Sequence, residues 1–444
     1  DVSNSIVNMS KNSFAESNIL EYFLIGKKDL TSLANWKPNF SKYREDRESK
    51  IAVLPIVLNL QQNDYKNAVQ SALKKLEEFS RRCGLKYLSE LKCEPNIEDI
   101  KSKLRGILKA YGEKIICAIL FYHSSVDPTD QFIDLYKYHV AKLKVYPSVV
   151  NLTDVVNLTE EFKRIYFKIR SELRKFAVKM NAISYRLNPP QIIKNHVIAG
   201  IDSTIYRTEK GSLYPVIVVF ILNPDGEITV ETYPVGIGLS DIDALALGVK
   251  SAFERYGSSG LIAIINRSSV VGVLQRLMNE IRDFKDLVSN GDLILTSVSK
   301  THSYSRILVK KGDEIYNPKN SGVLVKLSDY SLDLDEETIH KEKIHISRFL
   351  SITTTCLREE YERGTVKPVI INIASQLEDR DRLEIAKYIV SLSHFARISS
   401  LWAPSLPMPL HVANRYRRRL NGILKALKEQ RGIPGDISEI IKYI

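Results

Sequence analysis

The residues with the most chemical potential are one carboxylate and the polar groups that end two later segments. Asp202 closes the apolar run His196-Val-Ile-Ala-Gly-Ile-Asp202 and is followed by Ser203 and Thr204. Further along, Leu261-Ile-Ala-Ile-Ile265 ends in Asn266-Arg267-Ser268-Ser269, and Leu406-Pro-Met-Pro-Leu-His-Val-Ala-Asn414 leads into Arg415-Tyr-Arg-Arg-Arg419. A carboxylate at a strand end can ligate a hard divalent cation, and two such cations can flank a phosphodiester and cut it. That chemistry needs several carboxylates or imidazoles at one point; Asp202 alone serves equally well as an ordinary strand-end polar residue. The second signal is cationic. Leu135-Tyr136-Lys137-Tyr138-His139-Val-Ala-Lys142, then Lys179, Lys300-Thr-His302, Arg306, Lys310, Lys311, Arg397 and the arginines from 415 to 419 supply groups that hold phosphate oxygens through charge-assisted hydrogen bonds.

Two kinds of region must position these groups. From Ile51, near-continuous apolar runs (Ile51 to Leu60, Lys114 to Tyr122, Pro147 to Leu152) alternate with segments of helical spacing. The segment from Gln62 to Cys83 carries Val69, Leu73, Leu76 and Phe79; Ile97 to Tyr111, Gln131 to about Lys144 and Thr159 to Met180 follow. Strands that are apolar throughout, alternating with helices, predict a parallel sheet covered on both faces, a Rossmann-like α/β domain over residues 49–190. The first strand is not followed by GxGxxG, which excludes the dinucleotide reading. Residues 1–48 form a polar N-terminal extension with a short amphipathic helix expected from Phe14 to Ile25. Asn188-Pro-Pro-Gln191 is a stiff linker. The second domain, residues 191–444, opens with the Asp202 strand, the apolar run from Val216 to Leu222, a turn at Asn223-Pro-Asp-Gly226, and Glu227 to Tyr233, which together predict a β-meander. Helices follow from Asp241 to Tyr256, Val270 to Phe284 and Asp379 to Ser391. Strands are expected at Leu261–Ile265, Leu293–Val298, Phe349–Cys356 and Pro368–Ile373, and an acidic loop from Ser328 to Glu337.

With 444 residues, 44% hydrophobic and 26% charged, the chain has ample core for two or three domains. Its net charge of +12 favours a polyanionic partner, nucleic acid first. The four cysteines, Cys83, Cys93, Cys117 and Cys356, form no CxxC pair and give no zinc spacing. No apolar run approaches the roughly 20 residues of a bilayer span. A soluble, cytoplasmic protein is expected.

The later motifs, in order, resemble the PIWI domain of the Argonaute family from about residue 195 to 444. They are the Asp202 strand, Asn-Arg-Ser-Ser, Lys-Thr-His with Arg-Ile, Gly364-Thr-Val-Lys-Pro368, and Leu-Pro-Met-Pro-Leu-His-Val-Ala-Asn. The Rossmann-like domain before them matches the family's MID domain. The arrangement resembles a short prokaryotic Argonaute of archaeal type, with a ribonuclease H-like fold for the PIWI part. The resemblance implies that a separate associated protein stands in for the N-terminal and PAZ half.

Active members hold two magnesium ions with four acidic or imidazole groups. Asp202 matches the first ligand. At the second, Arg267 is followed by Ser268 and Ser269 instead of Asp; at the last, Ala413 is followed by Asn414 instead of Asp or His. The mobile acidic ligand stays open among Asp241, Asp243 and Glu254. One carboxylate with neutral partners leaves two divalent cations uncompensated, so no target cleavage is expected: the set is degenerate (Asp202, Ser268, Asn414), with no catalytic and no metal-binding residues. The alternative is an active metal-dependent ribonuclease H-like nuclease with ligands elsewhere.

What the resemblance leaves is binding. The family's MID domain holds the 5′ phosphate of a guide strand. Here Tyr136, Lys137, His139 and Lys142 on one helix, and Lys179 on the next, are the candidates, with the register open among the first three. Val149 stands where the family often has Gln. Lys300, His302, Arg306, Arg397, Arg415 and Arg418, with Arg417 and Arg419, would meet phosphates along the PIWI groove. The only cofactor left open is magnesium at the guide 5′ phosphate. The expected partners are a guide RNA, a complementary DNA target and a downstream effector, a membrane-bound one included, in prokaryotic antiviral or anti-plasmid defence. The chain itself is not expected to insert into a membrane.

Overall fold

The computed structural model describes residues 4–10, 13–18, 21–24, 44–45, 48–112, 114–126, 129–153, 158–180, 189–207, 213–234, 239–300, 307–311, 314–316, 321–333, 343–354, 368–393, 406–428 and 443. The chain forms two compact units, Lys37–Ser184 with Arg418–Ile444, and Asp1–Trp36 with Tyr185–Arg417. The helix Met408–Lys428 is shared by both.

The first of these units is built on a five-stranded, wholly parallel sheet. Tyr146–Asn151 pairs with Ile115–Tyr122, which pairs with Ile51–Leu58, and Lys86–Tyr87 and Leu91–Cys93 both pair with Ile51–Leu58. Parallel pairing follows from the helices that separate the strands in sequence: Asn63–Cys83, Ile97–Tyr111, Thr129–Lys142 and Leu158–Lys179. The central strands are buried along nearly their whole length, as apolar runs must be when helices cover both faces. Local chemistry sets the helix ends. Asn96 accepts a hydrogen bond from the Asp99 amide at 2.8 Å as an N-cap. Gly84 closes Asn63–Cys83 in the left-handed region, φ 71°, with its N–H directed to the carbonyls of Arg81 and Ser80.

The second unit holds a nine-stranded mixed sheet. Its first five strands run in the order Ile228–Pro234, Leu213–Leu222, Val197–Arg207, Leu261–Ile265, Leu293–Ser299. The first three form the expected antiparallel meander, and the last two lie parallel to the Asp202 strand. This is the ribonuclease H-like order. Val369–Ser375, Lys343–Thr354, Ser321–Asp333 and Glu21–Leu24 extend the sheet antiparallel. Ala199, Ile201, Ile217 and Val219 on one sheet face pack with Ala244, Val249 and Ala252 of the helix Asp241–Tyr256. That helix starts with a capping box between Ser240 and Asp243.

Three expectations change. The amphipathic helix from Phe14 to Ile25 is instead two strands, Ser13–Asn18 and Glu21–Leu24. Sheet edges supply the partners: Ser13–Asn18 pairs with Asn4–Ser10, and Glu21–Leu24 with Ser321–Leu324. Tertiary pairing overrides local periodicity there. Residues 1–48 accordingly do not stand apart as one piece, since Asp1–Trp36 falls in one unit and Lys37 onward in the other. The acidic segment from Ser328 is strand as far as Asp333, within Ser321–Asp333, with a register shift between Lys326 and Ser328. Within it, Asp329 accepts from the Ser347 hydroxyl and ion-pairs with Lys326.

Candidate functional site

Asp202 lies where the central strand meets the start of the helix Met408–Lys428. Gly200, two residues earlier, makes the approach possible: a Cβ at Gly200 would lie 2.1 Å from the Pro409 carbonyl carbon. Residues i and i+2 share a strand face, so the helix that presses on Gly200 also delivers its side chains to Asp202. Asn414 Nδ2 donates to Asp202 Oδ2 at 2.9 Å, and Arg417 Nε sits 2.9 Å from the same oxygen. Asn414 and Arg417 are three residues apart, on one helix face. The Arg417 contact is an ion pair without an aligned N–H, since Nε has no hydrogen-bond partner. The Ser203 amide donates to Oδ1 at 3.0 Å, and Asn266 Nδ2 is 3.4 Å from both oxygens. Asp202 is 4% exposed. Burial raises its carboxyl above the ordinary carboxylate range, opposed by Arg417 and the hydrogen bond from Asn414.

A second carboxylate joins the cluster. The Ser203 hydroxyl donates to Asp241, and Arg267 Nη2 lies 3.0 Å from Asp241 Oδ2. Of the three candidates for the mobile ligand, Asp241 alone is brought here. Asp243 is spent on the helix cap and on Arg276 at 2.6 Å, and Glu254 is exposed on the same helix. Ser268 is exposed, with its carbonyl accepting from Asn372 Nδ2 at 3.0 Å.

These donors do not fit two magnesium ions. Each cation needs several oxygen ligands with compensating negative charge. The groups on Asp202 are N–H donors that occupy its lone pairs, and both carboxylates already face a guanidinium. Among the described residues, no group of three or more His, Cys, Asp or Glu could hold a metal ion.

The second candidate site lies in the Rossmann-like unit. Lys137 on Thr129–Lys142, Lys179 at the end of Leu158–Lys179, and Arg419 interact electrostatically. Burial, then Arg419, lowers the Lys137 ammonium to about 8, while Asp134 and Glu172 oppose. Lys179 falls well below its ordinary value for the same leading reasons, burial and then Arg419. Its Nζ donates to the Tyr443 carbonyl at 2.9 Å, and Tyr443 is fixed by ring contact with Tyr146 at 5.0 Å. Gly422 lets its helix come close to Asp134, since a Cβ there would lie 2.3 Å from Asp134 Oδ2. The result is a partly buried cluster of three cations, with Asp134 and Glu172 acting on Lys137 and Glu172 on Lys179 as well.

Three other expected phosphate contacts on the helix Thr129–Lys142 are engaged elsewhere. Tyr136 is fully buried and its hydroxyl donates to the Ala118 carbonyl at 2.9 Å, so it is withdrawn as a phosphate ligand. His139 lies about 200° around the helix from Lys137 and packs edge-on against Tyr138, ring centroids 4.9 Å apart. Burial, then Lys101, pushes its imidazole down to about 4, so it carries no charge near neutral pH. Lys142 is exposed and sits over the Tyr138 ring at 5.6 Å. Of the groove residues, Lys300 and Arg418 are exposed and Arg415 is half-buried. His302, Arg306 and Arg397 lie outside the described residues. Sequence reading missed the pairing of Arg417 with Asp202 and the place of Arg419 beside the two lysines. The three-residue spacing from Asn414 to Arg417 was the available signal for the first; no signal pointed to the second.

A parallel Rossmann-like sheet joined in one chain to a ribonuclease H-like sheet defines the class of fold: it is that of the MID–PIWI lobe of Argonaute proteins. The chain is similar over 100% of its length to the Argonaute of Kluyveromyces polysporus, solved with a guide RNA, at TM-score 0.59 and 13% identity, and covers 56% of that chain. It matches the C-terminal lobe of a budding yeast Argonaute at TM-score 0.58 and 12% identity, covering 100% of this chain and 94% of that one. Drosophila Piwi matches at TM-score 0.56 and 10% identity, over 100% of this chain and 56% of that one. The chain thus spans little more than half of two of these neighbours. No protein-family model and no curated protein matches the sequence. Among the described residues, no helix is long and apolar enough to cross a membrane.

Proposed function

We propose that this lobe binds the 5′-phosphorylated end of a small guide strand in a MID-like domain, residues 49–190, and holds a complementary target on a PIWI-like domain, residues 191–444, without cutting it. The observation that carries the reading is the cluster of Lys137, Lys179 and Arg419. Burial and a shared arginine disfavour the charged form of both lysines, and a dianionic phosphate would favour it again through charge-assisted hydrogen bonds. The cluster supplies the positive charge itself, so the reading requires no magnesium at the phosphate. The absence of cleavage is supported by the groups around Asp202, where amides stand beside the carboxylate and the Arg417 guanidinium takes the place of a cation. An RNA guide, a DNA target, a protein partner and an effector triggered by target binding in defence belong to the same proposal and rest on the resemblance.

Anisotropy titrations with a short single strand, 5′-phosphorylated or 5′-hydroxyl, test the binding. The phosphorylated strand should bind at least about tenfold tighter, as one charge-assisted contact would give. The preference should persist in EDTA and vanish in Lys137→Met and Lys179→Met. Equal affinity for the two strands refutes the reading. A guide-loaded protein given a matched target with magnesium or manganese should leave it intact; cleavage abolished by Asp202→Asn would establish an active nuclease instead.

A further inference from the structure

The centre around Asp202 holds two guanidinium groups where a hydrolytic site would hold cations. Arg417 Nε is 2.9 Å from Asp202 Oδ2, and Arg267 Nη2 is 3.0 Å from Asp241 Oδ2. Ser203, adjacent to Asp202, donates its hydroxyl to Asp241 and so ties the two pairs into one cluster. Two carboxylates and two guanidiniums are neutral together. The cluster therefore does not repel a nucleic-acid strand, as unmetallated carboxylates would.

Each arginine also keeps unspent donor capacity. A guanidinium has five N–H donors, and the carboxylate contact of each here runs through one nitrogen to one oxygen. Nε of Arg417 and Nε of Arg267 are both buried and make no hydrogen bond, the first facing Asp202 Oδ2 without an aligned N–H. The side chains are nonetheless 27% and 32% exposed, so solvent-facing donors remain on a fork whose orientation the carboxylates restrain. A phosphodiester, one charge shared over two oxygens, suits that fork. Exposed Ser268, next to Arg267, adds a hydroxyl donor beside it.

We propose that Arg417 and Arg267 form a metal-independent binding site for an internal phosphodiester linkage of a bound nucleic-acid strand, clamped in place by Asp202 and Asp241. The site rests on the reading that this lobe binds nucleic acid. It concerns a linkage within a strand, however, not the 5′ end.

A methylphosphonate scan tests it. Each internucleotide linkage of a 5′-phosphorylated strand is replaced singly by the neutral methylphosphonate, and affinity is measured for wild type, Arg417→Met, Arg417→Lys and Arg267→Met, with magnesium or with EDTA. At one position the neutral linkage should weaken wild-type binding about tenfold, the scale of one charge-assisted contact. That loss should vanish in Arg417→Met or Arg267→Met, return in part in Arg417→Lys, and be the same in EDTA. Arg267 lies outside the regular elements with a third of its side chain exposed, so its variant carries the comparison if Arg417→Met does not fold. A scan in which no position loses its effect in either variant overturns the proposal, as does a loss that depends on magnesium. Failure of the all-phosphodiester strand to bind overturns this and the proposed function together. A missing 5′-phosphate preference with the linkage effect intact overturns only the proposed function.

Discussion

On the proposed function, Lys137 is a single residue set for phosphate binding at the expense of stability. Its ammonium titrates near 10.5 ordinarily and at about 8 here. The unfolded chain therefore holds more protons than the folded one between those values. The sign follows: stability rises with pH across that window, and below about pH 8 the cost of the buried charge is fully present. Lys137→Met should raise the unfolding free energy near neutral pH by about 1–3 kcal/mol, the scale of the displaced pKa, while abolishing the 5′-phosphate preference. Chemical denaturation together with the anisotropy titration checks both; a destabilised variant with intact preference contradicts the argument. A bound phosphate favours the charged amine, so binding near pH 8 should take up protons, and the preference should weaken as pH rises past 8. Calorimetry in buffers of different ionisation enthalpy reads the uptake directly.

At the scale of elements, the Asp202 centre depends on how closely a helix can approach a strand. The strand Val197–Arg207 admits the Pro409 backbone because Gly200 has no side chain. Gly200→Ala would force a Cβ against backbone atoms, which cannot rotate away. It should cost about 2 kcal/mol or more and part Arg417 from Asp202. Gly106, in the interior of Ile97–Tyr111 with nothing within 4 Å of an added Cβ, is the contrasting site. There Gly106→Ala should stabilise by about 0.5–1 kcal/mol through helix propensity. Thermal melting of both variants separates the two cases; equal shifts would deny the close approach. The same helix reaches Asp134 through Gly422, where the neighbour is a mobile carboxylate instead of backbone.

For the whole molecule, the +12 charge would make the proposed strand binding an electrolyte effect as much as a matter of fit. Affinity for single strands should fall steeply with salt, with a log–log slope of about −0.7 per phosphate neutralised. The 5′-phosphate preference should change less, because partly buried pairs are screened less than exposed ones. Substituting exposed Arg418 or Lys300 by alanine should shift all sequences alike and reduce the slope by less than about one. A salt-independent affinity would mean that the basic surface takes no part.

The architecture was largely legible in the chain because its causes are local. Apolar runs from Ile51 and Lys114 need cover on both faces, the turn at Asn223-Pro-Asp-Gly226 folds a meander, and helical spacing marks the intervening segments. The neutral chemistry of Ser268 and Asn414 was legible too, since neither carries a charge wherever it sits. Pairings set by long-range contact were not. Residues Ser13–Asn18 became strand because another strand offered its edge, and Tyr136 turned its hydroxyl into the sheet because the helix packs there. Only the folded chain brings Arg417 onto Asp202 across more than two hundred residues, and Arg419 into the field of Lys137 and Lys179. Whether a charge is a surface ornament or half of a site depends on what faces it, and that is decided by packing at glycines such as Gly200 and Gly422, not by the residue's own type.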